Sequence, residues 1–432
     1  MDRLIYHVDV NSAYLSWEAA EQLKNGAETD IREIPAIIGG DTSRRKGVVL
    51  AKSLPAKACG VRTGEPVTDA LKKCPDLKSF PPNFPLYKKY SRAFIGILRQ
   101  YAPVVEQVSI DEAYLDMSGL HFFYKNAEEA AQAIRKEIRE QLGFTVNIGI
   151  SSNKLLAKMA SDFEKPDKIH TLFLEEIRDK MWPLPVRELF LTGASAAAKL
   201  KELGIETIGD LAGSDPVFLK AHLKTQGETL WRYANGMEDS PVKGEKEEAK
   251  GYGNSTTLGK DVTEYEEAAR IFLYLCDTVA RRLRRDGLFA RTVEVEVKDC
   301  HFKRHSHQRV LDYSTNTSGE LHQICCRLFK ELWDGTPLRL LGVRCTKLTE
   351  ENLRPQMEQA VAPNLHIYEN KASGQMMMDF GERDAALAEQ KNRKRLEQER
   401  KHQKLARMDE ALDKIKEKYG EDSIGRAGRL RV

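Results

Sequence analysis

Apolar positions in the N-terminal part of the chain alternate between short continuous runs and helical spacing. The run "LIYHVDV" (4–10) reads as a buried strand. Across 12–23, Ala13, Leu15, Trp17, Ala20 and Leu23 form one largely apolar helix face. The strand runs straight into the helix, which puts Asp9 at the strand's C-terminal end, where α/β proteins gather ligand chemistry. Residues 34–80 are irregular, with short strands near Ile37 and at 48–50 among glycines and basic residues, and read as a small insertion. A helix at 86–101, a strand pair at 103–108 and 113–117, a helix at 127–141, a strand at 144–151 and a helix at 153–163 follow. Without the insertion the order is βαββαβ, the ferredoxin-like arrangement, which lays the first strand beside the central hairpin.

Residues 189–213 read as two short helices around a Gly turn, followed by a second turn at "LGIETIGDL". The stretch 240–251 is charged and has no apolar period, so it is expected to be a linker. Beyond it a strand at 252–259, a helix at 264–286, strands at 291–297 and 306–314, a helix at 318–333 and a strand at 338–348 predict a second, separate α+β sandwich. The Arg/Lys/Glu-rich stretch to 419 carries helix formers with sparse apolar positions and is expected to be a solvated helix or a disordered tail. The fold class is therefore α+β, multidomain.

Composition adds bounds to this picture. In 432 residues, 41% hydrophobic and 31% charged, there is enough apolar material for real cores under a heavily charged surface. The start "MDRLIYHVDV" has no signal-peptide pattern and no run long enough to span a bilayer, so the expected location is the cytoplasm, without a membrane. Seven cysteines without C-x-x-C spacing are expected to be reduced thiols. Net charge is only +3, but "RRLRR" (281–285), "FKRHSHQR" (302–309) and "KNRKR" (391–395) are local basic clusters able to meet phosphates.

Asp111 stands directly beside Glu112 in "SIDEAYLD", between the two strands of the hairpin. Like charges near a sheet need a compensating cation or hydrogen-bond donors. With Asp9 brought to the same sheet edge, the three carboxylates form an all-oxygen pocket suited to hard Mg²⁺ and not to Zn²⁺, so the compensating charge is expected to be metal. Two such ions are the usual clamp for phosphoryl transfer. A triphosphate also needs cationic side chains; Lys52, Lys57 and Arg62 in the insertion and Lys158 and Lys165 after the last strand are placed to supply them.

The stretches "HVDVNSAY", "AKSLPAKACGVRTGEP", "SIDEAYLD", "GISSNKLLAKMASDFEKP" and "LKELGIETIGDLA", in this order, resemble the Y-family of translesion DNA polymerases, which includes the DinB (DNA polymerase IV) and UmuC branches. The resemblance covers about residues 1–350. It implies a palm (1–32 and 78–180), fingers (33–77), a helix-hairpin-helix thumb (181–240), a linker (241–249), a DNA-binding little finger (250–349) and a tail (350–432). It implies Asp9, Asp111 and Glu112 as catalytic metal ligands with the Val10 carbonyl assisting, and two Mg²⁺ ions, with Mn²⁺ able to substitute. Tyr14 would be the steric gate, an aromatic ring that leaves no room for a ribose 2′-hydroxyl. The activity implied is template-directed addition of dNTPs to a primer 3′-OH in DNA damage tolerance, repair and the SOS response.

Three positions depart from the family's pattern. Leu54 and Lys57 stand where a Tyr and an Arg commonly meet the triphosphate, and Ala13 replaces an aromatic that commonly precedes the gate. Lys lacks the bidentate fork of Arg, and Leu donates nothing.

For primer-template DNA, "LTGASAAAKL" offers Gly193, Ser195 and Lys199 at a helix start facing phosphate. In "VEVEVK" the valines face a core while Glu294 and Glu296 share the polar face and would oppose DNA, so Arg291, Lys303 and Arg304 are the expected little-finger contacts. Cys300 with His301, His305 and His307 fits no common zinc spacing and is read as surface. "QMMMDF" (375–380) resembles the peptide by which bacterial polymerases dock on the sliding clamp, with Gln375, Met378 and Phe380 as its anchors. A palm-type nucleotide cyclase and a DNA-bound scaffold that has lost synthesis are the alternative readings.

Overall fold

A computed structural model describes residues 3–40, 47–119, 124–244, 248–351, 366–369, 376–379, 382–420 and 423–424, with some side chains before residue 399 left out. The chain divides into two compact units, 1–247 and 248–432. Among the described residues no helix is long and apolar enough to cross a membrane.

The first unit begins with β1 (Ile5–Val10), buried along its whole length, and α1 (Ala13–Lys24). The insertion supplies β2 (Ala36–Gly39), β3 (Val49–Lys52), α2 (Leu54–Ala58), α3 (Val67–Lys73) and β4 (Lys78–Phe80); its strands form a separate sheet in the order β3-β2-β4. Then come α4 (Phe84–Tyr101), β5 (Val104–Gln107), β6 (Glu112–Asp116), α5 (Ala127–Leu142), β7 (Val146–Ser151), α6 (Lys154–Asp162) and β8 (Ile169–Thr171). The main sheet runs β5-β6-β1-β7-β8. Its first four strands have the ferredoxin-like order expected from the alternation, with β1 antiparallel to both β6 and β7. Trp17, Tyr87, Phe94 and Phe144 fill the core between the helices and this sheet.

Helix α6 is capped by Asn153, whose side chain accepts from Leu156 N. It lies directly on β7. A Cβ at Gly149 would stand 1.9 Å from the Ala157 carbonyl oxygen, so only glycine permits the approach.

The helical part contains α7 (Ile177–Lys180), α8 (Ala194–Glu202), α9 (Ile208–Ala212), α10 (Pro216–Leu223) and α11 (Thr225–Ala234), packed around Leu200, Ile208, Leu211, Leu219 and Leu230. Residues 189–192 form no helix, which corrects the expected pair around Gly193. Only a 3₁₀ turn, Val186–Glu188, precedes α8. Leu191 has a φ of 66°, outside the right-handed helical region, so no helix runs through 189–192. The start of the expected linker is tied down: Val242 is buried against Ile5, Tyr114 and Ala157, and Lys243 N donates to Glu106 Oε2 at 2.8 Å.

The second unit contains β9 (Gly251–Val262), α12 (Tyr265–Arg285), β10 (Phe289–Asp299), β11 (Arg304–Thr315), α13 (Ser318–Leu332) and β12 (Leu338–Thr349), with sheet order β11-β10-β12-β9. Val293, Val295 and Val297 face the core with the apolar sides of both helices, as the alternation requires. A short pair, β13 (His366–Glu369) and β14 (Met376–Asp379), precedes α14 (Glu382–Tyr419).

Helix α14 is the helical one of the two expected forms, and its C-terminal part is not free in solvent but docks on α12 and α13 through charge. Asp409, fully buried, accepts from Ser318 N at 2.8 Å and from Arg284 at 3.1 Å. Asp413 receives Arg284 Nε at 2.7 Å, and Lys416 reaches Asp277 at 2.6 Å. Leu405 packs where Gly319 leaves space. Thr317, the N-cap of α13, makes no side-chain cap bond, so Asp409 supplies the acceptor that the first turn of α13 needs.

Candidate active site

Pairing of β1 with β6 sets Asp9 opposite Glu112, and pairing with β7 sets it opposite Asn147. Val10 N donates to the Asp111 carbonyl at 3.0 Å, which holds the turn bearing Asp111 against the end of β1. The Asp111 carboxylate accepts from Ser109 Oγ at 2.6 Å. Asp9, Val10, Tyr14 and Asp111 line a cavity of about 470 Å³, together with Lys52, Leu54, Lys57, Thr63 and Lys165. Sequence separation of a hundred residues is thus closed by three strands.

The charge that meets these carboxylates comes from the chain itself. Lys158 Nζ stands 2.8 Å from Glu112, 3.3 Å from Asp162 and 3.6 Å from Asp9. Lys165 Nζ stands 2.7 Å from Asp9 and 3.0 Å from Asp162. Glu112 turns toward Lys158 and is not among the residues lining the cavity, so lysines share in offsetting the carboxylates beside the metal expected there. Among the described residues no three His, Cys, Asp or Glu side chains close on one metal-sized point.

Burial sets the electrostatics. The Asp9 carboxyl is pushed up to about 6, chiefly because burial withholds water, with Lys165 pulling the other way. Burial also lowers both lysines, but the carboxylates of Asp9 and Asp162 outweigh it and hold Lys158 and Lys165 above the ordinary lysine value. An all-oxygen set with one poorly hydrated carboxylate fits a hard divalent cation, which would take over the role of the ammonium groups.

Lys165 sits on a loop fixed by amides. Asn147 Oδ1 accepts from Asn11 Nδ2 at 3.0 Å and from Lys168 N at 3.3 Å, while its Nδ2 donates to the carbonyls of Ser161 (3.1 Å) and Glu164 (2.6 Å). Asn11 Oδ1 in turn accepts from Asp167 N and Thr145 Oγ1, both at 3.0 Å. In the insertion, Ser53 caps α2 by accepting from Ala56 N, which orients Lys57 beside the cavity. Lys52 donates to Thr63 Oγ1 at 3.0 Å, and burial followed by the charge of Lys57 lowers its pKa. Arg62 does not line the cavity. Arg32 does, held by Asp30 at 2.7 Å.

Sequence reasoning missed Arg32, Asn11, Asn147 and Asp162. Only Asp162 left a trace: its i,i+4 spacing from Lys158 is that of a charge pair on a helix.

Elsewhere, Gly193 is the N-cap of α8, with Gly193, Ser195 and Lys199 exposed. Lys199 pairs with Glu202 at 3.1 Å. In the second unit Arg304 pairs with Glu296 at 3.0 Å, and Arg344 stands across from Glu294, so arginines offset both glutamates of that face. Lys303 is exposed at the β10–β11 turn, and Arg291 is half-buried with its Nε enclosed and without an acceptor among the described residues. His305 and His307 face Asp299 and Glu331. Gln375 and Phe380 lie outside the described residues, as does the Met378 side chain; the Met378 backbone pairs with Ile367 in β14.

Comparison with known proteins identifies the family of the chain. The model of the impB/mucB/samB family matches residues 8–162, and that of the family's C-terminal domain matches residues 249–358. The chain is 45% identical over 348 residues to DNA polymerase IV of Clostridium acetobutylicum, covering 81% of this chain and 88% of the relative. It is 38% identical over 350 residues to DNA polymerase IV 1 of Bacillus subtilis, covering 81% and 83%. With DNA polymerase IV of Alkaliphilus oremlandii it shares 33% identity over the whole of both chains. Among solved structures, a Y-family DNA polymerase chimera of Dbh and Dpo4 superposes with a TM-score of 0.69 at 23% identity, covering 80% of this chain and 98% of that one. The chain belongs to the impB/mucB/samB family of Y-family DNA polymerases, among its DinB-like members.

Proposed function

We infer that this protein is a translesion DNA polymerase that adds dNTPs to a primer 3′-OH on a template strand, in DNA damage tolerance and repair. The observation that carries the reading is the placing of Asp9 opposite Glu112, with Asp111 and three lysines on the wall of one cavity. Asp9, Asp111 and Glu112, with the Val10 carbonyl, would hold two Mg²⁺ ions, or Mn²⁺ in their place. Bound there, the metals would polarise the primer hydroxyl and steady the leaving pyrophosphate.

The chain's own groups do the rest. Lys52, Lys57 and Lys165 present positive charge to the triphosphate as point charges, not as the fork an arginine would give. Lys158 neutralises Glu112 until the carboxylate is engaged. Tyr14, half-exposed on the first turn of α1, offers its ring to the sugar and acts as the steric gate.

The palm, fingers, thumb and little finger are assigned to residues 1–32 with 78–180, 33–77, 181–240 and 250–349. Gly193, Ser195 and Lys199, with Arg291, Lys303 and Arg304, contact backbone phosphates of primer-template DNA. Gln375, Met378 and Phe380 form the peptide that docks on the bacterial sliding clamp, and the location is the cytoplasm.

Primer extension by the full chain with Mg²⁺ and dNTPs, compared with Asp111→Ala, tests the reading. Template-directed extension that falls by about 10³-fold in the variant is the expected result, on the scale of several kcal/mol of lost charge stabilisation. Extension that persists in the variant, or none in the unaltered protein, defeats it.

A further inference from the structure

The gate ring does not stand alone. Tyr14 lies flat against Tyr87 of α4, with ring centroids 4.6 Å apart and planes inclined by 15°. Phe84, three residues earlier on α4, meets both rings edge-on at 6.2 and 5.9 Å. Trp17, one turn along α1, stands 5.9 Å from each.

The two tyrosines differ in position. Tyr14 lines the cavity and is partly open to it, whereas Tyr87 is fully buried behind it and has no part in the cavity wall. The backbone that carries Tyr87 is held in place, because the start of α4 is fixed twice by Asn83. The Asn83 side chain accepts from Leu86 N, and its carbonyl accepts from Tyr87 N at 3.1 Å.

A ring excludes a hydroxyl only if it cannot yield. Rotating Tyr14 aside about its side-chain bonds would relieve the overlap with a 2′-OH for little energy if nothing stood behind the ring. Position 13, the nearest place for a supporting aromatic, is a buried Ala. The aromatic support comes from Tyr87 and Phe84 of α4 and from Trp17.

We propose that Tyr87 is a positioning residue for sugar selection: by stacking on Tyr14 it fixes the plane of the gate and so sets how strongly ribonucleotides are refused. This rests on the reading of Tyr14 as the gate. The contact with Tyr14 is a stack of the two rings, so the ring and not the hydroxyl carries the role. That separates two substitutions at one position. Phe keeps the stack, and Leu removes it.

The test is single-nucleotide insertion, reading the ratio of kcat/KM for a ribonucleotide to that for the matching deoxyribonucleotide. Because both values come from one preparation, a loss of active protein cancels. The variants are Tyr14→Ala, Tyr87→Leu, Tyr87→Phe and the double Tyr14→Ala/Tyr87→Leu. Tyr87→Leu is expected to raise the ratio by up to about tenfold, the factor one lost ring contact corresponds to. Tyr87→Phe should return the parental ratio, and the double variant should match Tyr14→Ala, since Tyr87 acts through Tyr14.

If Tyr87→Leu melts below the assay temperature, Tyr87→Met, whose flexible chain refills the volume without stacking, gives the same reading. A raised ratio in Tyr14→Ala with no change in Tyr87→Leu or Tyr87→Met overturns the proposal and leaves the gate standing. So does a double variant whose effect is the product of the two single ones. An unchanged ratio in Tyr14→Ala overturns the gate itself, and the proposal falls with it.

Discussion

Lys158 reaches from α6 to Glu112 on β6 and closes to 2.8 Å, while remaining within 3.6 Å of Asp9 on β1. One ammonium group thus bridges the two carboxylates that the strand register sets opposite each other. It competes with any cation that would use the same oxygens.

Replacing that ammonium therefore has two opposed effects. Lys158→Met should tighten Mn²⁺ binding to the nucleotide-free protein by roughly tenfold, as one like charge is removed from the neighbourhood of the ion. The same change should cost about 3 kcal/mol of stability without metal, because the carboxylates lose their partner in a partly buried setting. Titration of Mn²⁺ by electron paramagnetic resonance and urea denaturation measure the two; weaker Mn²⁺ binding in the variant would refute the competition.

The acidity of Asp9 gives a pH signature. Its proton is held more tightly in the folded protein, at about 6, than at its ordinary 3.8. This group consequently favours folding below pH 3.8, and the contribution fades as pH rises through about 6. Metal needs the ionised form, so the Mg²⁺ concentration for half-maximal binding should rise as pH falls below 6. Carbon-13 carboxyl NMR of the metal-free protein should show Asp9 titrating near that pH, and an ordinary carboxylate value would contradict the burial argument.

The amide of Asn147 controls Lys165 from a distance. Asn147→Leu would strand the carbonyls of Ser161 and Glu164 and the Lys168 N–H, at about 2–3 kcal/mol in stability. With the loop loosened, KM for dNTP should rise several-fold while kcat changes less. Steady-state insertion kinetics at several dNTP concentrations would reveal the split, and an equal fall in kcat with KM unchanged would argue against a role in substrate holding.

The docked C-terminal helix should matter to the unit it covers. Asp409→Ala removes the acceptor for the first N–H of α13 and a partner of Arg284, and should lower stability by about 2 kcal/mol. Ending the chain at residue 350 should lower it further, since Asp277 then loses Lys416 as well. Denaturant melts of the full and shortened chains would compare them; identical midpoints would show that α14 contributes nothing to the fold.

Much of this arrangement was legible in the sequence. The βαββαβ order, the pairing of β1 with the hairpin and the inward valines of β10 all follow from alternation and run length. The latch of Lys158 and Lys165 was not, because the preference of Glu112 for Lys158 depends on how closely α6 approaches the sheet. Asn11 and Asn147 were silent because a polar residue inside an apolar run looks the same whether it serves a network or breaks a strand. For α14 the signal was present in another form: Asp409, Asp413 and Lys416, four and three apart, lie on one helix face, so the contact surface is written in charge and escapes a search for apolar periodicity.

Gly149 carries a mechanical corollary. With main chain touching main chain at that point, β7 and α6 behave as one welded plate, and a hinge between them is ruled out. Lys158 can then change partners by swinging its side chain while α6 stays seated on the sheet. Even a single methyl there, as in Gly149→Ala, would push α6 off β7 and carry Lys158 away from Glu112 and Asp9.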